Sequence, residues 1–319
     1  MDYRIMDRKA LIVAAIIIFL LILPLKASAY WIRFLTALFM YATLSQAWNI
    51  IGGFAGYASF GNVVFFGLGS YITAAFMNNY NLSFPVSFIF SGLIPMLFAV
   101  FVGLPVLRLR GHYFAIATLG VAEATREIIS NIEFFGGGLG ISLPIARNFL
   151  VFYYIMFFLM FASTLSVYAI SKSRLGYGLV AIRENEDAAE VLGINSAYYK
   201  TIAFALSALF TGLAGGVYAY WITYIDPPSV FDVSITVKMV IMTVLGGAGT
   251  IFGPIAGALI LQGISEILWR EFLYVHSAAL GIFIIIIVIL LPRGFMPFIK
   301  GEKPLRLSLI LENIREHRA

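Results

Sequence analysis

Between residues 171 and 203 the chain reads SKSRLGYGLVAIRENEDAAEVLGINSAYYKTIA, a charged island in an otherwise almost continuously apolar sequence. Arg183, Glu184, Glu186, Asp187, Ala188, Ala189, Glu190 and Gly193 form the part of it best suited to binding a partner. The spacing predicts one short helix over 183–192, with Ile182, Ala189 and Leu192 along one side and Glu184, Asp187 and Glu190 facing elsewhere. Gly193 is a natural residue just past the end, because glycine reaches the left-handed conformation cheaply. Such a rigid, half-apolar element suits a cleft on another protein; the plainer reading is a helix resting on the bilayer. Four acidic residues at 184–190 favour the cleft, since the inner leaflet is itself negatively charged.

Glycines mark three further places. Gly52, Gly53, Gly56 and Gly61 separate two apolar blocks, with Gly67 and Gly69 just beyond; residues 136–140 carry Gly136, Gly137, Gly138 and Gly140; and Gly246, Gly247, Gly249 and Gly253 lead to Gly257. Broken helices at membrane depth are tolerated where they are buried in protein or line a cavity, so these clusters read as a translocation path or a moving joint. Close helix packing through small residues is the competing reading. The first and third clusters share a loose GG…G…FG pattern that hints at an internal repeat. Of the ionisable residues inside apolar blocks, Glu123 and Arg126 are three apart and can pair on one helix face. Glu123 therefore joins Gly56, Gly61, Gly67, Gly137, Gly138, Gly246, Gly247 and Gly249 as a candidate for the path. There is no GxxxxGK[ST] loop, no HExxH, no Cys/His cluster and no nucleophile elbow. The expectation is a protein without catalytic residues, cofactor or metal, whose energy source lies on another polypeptide.

The elements that position these residues are membrane helices. Of the 319 residues 61% are hydrophobic and only 12% charged, about half the charged share of an ordinary soluble domain. Apolar blocks lie near 10–25, 31–51, 60–78, 84–107, 112–130, 150–170, 200–222, 235–250, 254–269 and 277–291. The fold class is all-α, a polytopic transmembrane helical bundle of about ten spans (8–10). Fifteen of the 21 Lys and Arg fall in segments that are cytoplasmic if both termini are inside, five fall outside, and Lys238 lies within a span. That distribution predicts N-in and C-in, a transmembrane domain over 1–299 with a cytoplasmic loop at 171–200, and a cytoplasmic tail over 300–319. The first block follows Arg4, Arg8 and Lys9 and precedes Ala27-Ser28-Ala29, as in a signal peptide, but is expected to stay as a first helix. The net charge of +5 reflects topology and implies no nucleic-acid partner.

An ordered set of motifs resembles the permease subunits of branched-chain amino-acid ABC importers. It runs from Gly56-Tyr57-Ala58-Ser59-Phe60-Gly61 through Arg108-Leu109-Arg110-Gly111-His112-Tyr113 to Ser173-Arg174-Leu175-Gly176-Tyr177-Gly178. It continues with Ala181-Ile182-Arg183-Glu184-Asn185-Glu186, Ala188-Ala189-Glu190, Gly193-Ile194 and Leu245-Gly246-Gly247-Ala248-Gly249-Thr250. The likeness covers about residues 40 to 295 and is greatest to the larger of the two permease types. It departs from the pattern at Phe135, where the family commonly has a threonine before the glycines. The resemblance implies a multi-pass protein of the prokaryotic plasma membrane that is not itself an enzyme. It implies ATP-binding-cassette ATPase subunits docked at 183–193, a second and different permease, an extracytoplasmic solute-binding protein, and contact with membrane lipid. A permease for urea or short amides is the alternative on the same scaffold. A secondary transporter is the alternative of another class; it normally shows several ionisable groups near the midplane, where only Glu123 is a candidate.

Overall fold

The computed structural model describes residues 15, 17–146, 148–271 and 281. Helices dominate because a backbone in an apolar setting must satisfy its own polar groups within each segment. In chain order they are α1 (Ala29–Trp48), α2 (Val63–Asn79), α3 (Phe84–Val106), α4 (His112–Asn131), α5 (Phe149–Ser171) and α6 (Arg174–Glu184). Then follow α7 (Glu186–Val191), α8 (Ser196–Ile222), α9 (Pro227–Val230), α10 (Val233–Gly246) and α11 (Gly253–Glu271). Helix α1 runs on into a π-helical turn over Asn49–Phe54. Two short strands, β1 (Ile141–Ser142) and β2 (Tyr224–Ile225), pair antiparallel with Ile141 opposite Ile225.

Eight of the ten expected apolar blocks fall on helices: α1 to α5, α8, α10 and α11. Of the first block, residues 15 and 17–25 are described, with helix over 17–22 and a 3-10 turn over Leu23–Leu25; the tenth block apart from residue 281, the 300–319 tail and residues 1–14 lie outside the described residues. Among the described residues five helical stretches are long and apolar enough to cross a membrane: Ala29–Phe54, Phe84–Val106, Phe149–Ser171, Ser196–Ile222 and Pro227–Gly246. Gly253–Leu268 is a shorter apolar helix. Helix α2 has only 17 residues, and α4 carries Glu123, Arg126 and Glu127, so neither joins that set.

Helices α1 and α8 form the centre. Their apolar stretches are 78% and 72% buried against 28% for α3 and 39% for α5, which therefore turn most of their surface outward. Small residues let α8 approach its neighbours. A Cβ at Gly69 of α2 would stand 2.1 Å from the Gly212 carbonyl oxygen, and one at Gly215 would stand 2.1 Å from that of Phe66. On the same stripe of α8, Gly216 faces the hydroxyls of Ser91 on α3 and Thr73 on α2. Any larger residue at these points forces the helices apart. Aromatic edges fill the α1–α5 contact, with Phe39 against Tyr153 and Phe157.

Connecting segments gather at opposite ends of the bundle. At one end the residues around Gly53, Tyr57, Leu107, Arg110, Arg183, Glu186 and Thr250 touch one another. At the other, Asn78 and Asn79 at the far end of α2 donate to the carbonyls of Ser142 and Phe134, beside the β1–β2 ladder.

Candidate functional site

The charged island is built by a series of caps. The Ser173 hydroxyl accepts from the Gly176 amide and starts α6, and the Asn195 side chain accepts from the Tyr198 amide and starts α8. Asn185 divides what the spacing predicts as one helix over 183–192. Its φ of −162° leaves the helical region, and its side chain accepts from the Ala188 amide at 3.0 Å, opening α7. An asparagine that caps a new helix competes effectively with continuing the old one, and Glu186 and Asp187 in the first turn suit the positive end of the dipole. The break also corrects the expected apolar side. Ile182 and Ala189 are buried, but Leu192 is 81% exposed and Val191 87% exposed.

Gly193 ends α7 as its sequence position predicts. Its φ is +85°, its amide donates to the Glu190 carbonyl and the Ile194 amide donates to that of Ala189. Those two bonds make a Schellman motif, which fixes the last turn and holds Val191 and Leu192 outward.

The inner side of α7 is locked by a buried ammonium. Lys200, in the first turns of α8 and 3% exposed, donates to Glu186 Oε1 at 2.6 Å, to the Tyr57 hydroxyl at 2.9 Å and to the Leu107 carbonyl at 2.9 Å. Tyr57 in turn donates a short hydrogen bond to Glu186 Oε2. Arg110 closes the cluster, with Nε 3.4 Å from Glu186 and Nη1 2.7 Å from Asp187. Burial pushes the Glu186 carboxyl up, but hydrogen bonds from Lys200 and Tyr57 and the Lys200 charge outweigh it, leaving it below the usual carboxylate range. Burial, followed by the hydrogen bond to Glu186, raises the Tyr57 phenol, so it stays protonated as a donor. All three of Lys200's bonds are to oxygens, and they join α8, the 55–62 loop, the end of α3 and α7. From the sequence, Lys200 counts only among the positive charges that orient the chain, Arg110 counts there and within a motif of the resemblance, and Tyr57 stands only within a motif. The available signal was a lone lysine at the mouth of an apolar helix.

Arg183, at the end of α6, turns one arm of its guanidinium toward the bundle. Nη1 donates to the Gly53 carbonyl at 3.0 Å, while Nε and Nη2 meet Glu184 Oε1 at 3.2 and 2.9 Å. Gly53 sits in the π-helical turn, which grips the 247–252 turn between α10 and α11. Asn49 Oδ1 accepts from the Gly249 amide at 2.8 Å, Asn49 Nδ2 donates to the Thr250 carbonyl at 2.9 Å, and Gln46 Nε2 donates to that of Ile251 at 2.6 Å. The first and third glycine clusters are therefore in direct contact; a Cβ at Gly53 would lie 2.5 Å from the Gly249 nitrogen.

The remaining path candidates are scattered. Gly61 rests on the Thr118 carbonyl, Gly67 lies under the Phe231 ring, and Gly246 abuts the Gly253 carbonyl. Gly137 and Gly138 belong to the loop at the opposite end, with open space beside Gly138. Gly56, Gly247 and Gly249 hold φ of +74°, +117° and +76°. Glu123 lies on the exposed face of α4, where it and Glu127 pair with Arg126. Among the described residues no group of three or more His, Cys, Asp or Glu is placed to hold a metal.

A family model described as "Branched-chain amino acid transport system / permease component" matches residues 30–291. The chain belongs to this family. The permease is 28% identical over 331 residues to the "High-affinity branched-chain amino acid transport system permease protein LivM" of Escherichia coli (strain K12), an alignment covering 94% of this chain and 77% of the relative. It is 26% identical over 285 residues to the "Probable branched-chain amino acid transport permease protein LivM" of Methanocaldococcus jannaschii, covering 76% and 82%. A shorter match of 28% over 178 residues, half of each chain, is to the "Autoinducer 2 import system permease protein LsrC" of Salmonella typhi. No solved structure matches the permease.

Proposed function

We propose that the permease is one of two different membrane subunits of an ATP-binding-cassette importer that carries branched-chain amino acids across the prokaryotic plasma membrane. In this reading the chain crosses about ten times, with both termini and the end bearing α6 and α7 in the cytoplasm. ATPase subunits dock on α7, and a solute-binding protein delivers cargo to the opposite end. The second permease covers the exposed face of α4, because Glu123, Arg126 and Glu127 are costly against lipid and are better placed toward protein or a watered path.

One observation carries the docking role: α7 is anchored on its inner side by Lys200 and capped at its end, yet presents Val191 and Leu192 almost fully exposed. An apolar pair on so rigid a mount suits a hydrophobic cleft, and its acidic neighbours disfavour an anionic membrane surface. Of the residues expected to couple to the ATPase, Arg183, Glu184, Asp187, Ala188, Glu190 and Gly193 are exposed for contact. Glu186 and Ala189 fix the helix from within. Closure of the ATPase pair moves α7 and the attached helices, provided the docked geometry differs in energy between the two states.

Uptake of radiolabelled leucine, scored with co-purification of the ATPase, tests this for wild type and Leu192→Asp. The substitution is expected to abolish both at normal membrane levels, since losing an apolar anchor at an interface costs about 2 kcal/mol or more. Undiminished ATPase binding overturns the docking role. An intact wild-type complex that imports no leucine moves the cargo to another class.

A further inference from the structure

We infer that Arg183 is a positioning residue that carries movement of the α6–α7 loop to the joint between the π-helical turn and the α10–α11 turn. The inference rests on the transport reading above and goes further, because it gives Arg183 a role within the permease through the inward arm of an otherwise exposed side chain. Three contacts place it. Its stem packs on Gly56, where an added Cβ would lie 2.6 Å from Arg183 Cγ. Its Nη1 holds the Gly53 carbonyl at 3.0 Å. The same Nη1 stands 2.9 Å from where a Cβ of Gly249 would be, so both sides of the joint lie against one guanidinium.

The joint has the makings of a two-state element. A π-helical turn leaves the regular bonding pattern and often marks a functional position. The turn opposite depends on side chains, Asn49 and Gln46, for the partners of its backbone groups. Among the described residues, the Ser45 hydroxyl and the side-chain Oε1 of Gln46 beside them are buried without a hydrogen-bond partner. Unpaired buried polar atoms are costly, so an arrangement in which water reaches them competes with this one. Arg183 is well suited to bias that balance. Its planar fork bridges Glu184 on the outside to Gly53 on the inside, which a single ammonium cannot reproduce.

The test uses the complete transporter in proteoliposomes, with Arg183→Ala, Arg183→Lys and Gly56→Ala. For Arg183→Ala the ATPase stays bound and continues to hydrolyse ATP, while leucine delivered per ATP falls about tenfold, within the usual range of a coupling effect. Arg183→Lys recovers part of that loss, and Gly56→Ala reproduces the loss by displacing the Arg183 stem. Assembly, hydrolysis and uptake falling together would mark a merely structural residue and overturn the inference, as would unchanged leucine per ATP.

A second readout needs neither partners nor cargo. The chain has no cysteine, so Tyr177→Cys and Phe252→Cys, both at exposed positions, accept spin labels cleanly. In the permease alone, Arg183→Ala should broaden the distance distribution between α6 and the 247–252 turn. An unaltered distribution overturns the tie even if the transport reading stands. A broadened one supports it even if leucine proves the wrong cargo.

Discussion

At one end of the bundle a buried ammonium, Lys200, draws Glu186, Tyr57 and the Leu107 carbonyl onto itself; at the other, a two-residue ladder and the amides of Asn78 and Asn79 hold loops through neutral bonds. Both arrangements satisfy loop polar groups, but they respond differently to change. A charge removed from water and shared among several partners ties their fates together, because losing one partner leaves another charge uncompensated. Neutral bonds to separate carbonyls fail one at a time. The end bearing α7 should therefore move as a unit, which suits an element that receives force. The opposite end should give way piecemeal, which suits a surface that loosens to admit cargo.

The largest expected effect is at Lys200. Lys200→Met keeps much of the side-chain volume but leaves Glu186 with only the half-exposed Arg110 as a cation partner, and should cost up to about 3–5 kcal/mol of stability, read by thermal unfolding in detergent. Lys200→Met combined with Glu186→Leu should be less destabilising than Lys200→Met alone, since the under-compensated part-buried carboxylate is gone. Equal or greater loss in the double variant would show that the cluster acts through packing and would erase the contrast between the ends.

Acid sharpens the same point. In wild type the Glu186 carboxyl titrates below its usual range, so its stabilising contribution is present above the unfolded value of about 4.3 and is lost as pH falls through the lower folded value. In Lys200→Met two of the influences that lower it are absent, while the hydrogen bonds from Tyr57 and Ser196 remain against burial. The folded value then moves up toward the unfolded one, and less stability is lost on acidification. Unfolding temperatures measured from pH 7 toward pH 4 should fall less steeply in Lys200→Met than in wild type; equal slopes would deny Lys200 its electrostatic role.

The long helices were legible because each apolar run satisfies its backbone internally, and eight of the ten blocks fall on helices within the described residues. Gly193 was legible because a positive φ after a helix nearly requires glycine. The division at Asn185 was not read, although Asn followed by Glu186 and Asp187 is a helix-start signal; the apolar spacing across it masked the cap. Lys200 was missed for another reason. Counting positive charges by side of the membrane says nothing of partners, and its bonds reach 93 and 143 residues back along the chain. The glycine clusters were visible, but their split between packing and jointing depends on which carbonyl each one meets.

Between the two ends lies a helix crossing that should respond like neither. Gly69→Ala pushes a methyl toward the Gly212 backbone, which cannot swing aside as a flexible side chain does. Overpacking of this kind costs about 1–3 kcal/mol. The loss should be insensitive to pH, unlike that at Lys200. A pH-dependent loss in Gly69→Ala would mean that the crossing and the Lys200 cluster are coupled through α8.

The smallest effects belong to the opposite end, and their additivity is the closest test of the comparison. Asn79 donates to the Phe134 carbonyl at 3.0 Å and Tyr224 donates to the Leu139 carbonyl at 2.9 Å, with no shared partner. Asn79→Ala and Tyr224→Phe should each cost about 1 kcal/mol or less, because exposed neutral bonds exchange readily with water. Their double variant should lose the sum of the two within about 0.5 kcal/mol, as independent sites do. Lys200→Met and Glu186→Leu must depart from additivity for the ends to differ in kind. If Asn79 and Tyr224 depart from it as strongly, the loop over 134–142 is itself a cooperative unit, and the end assigned to receive cargo switches as a whole.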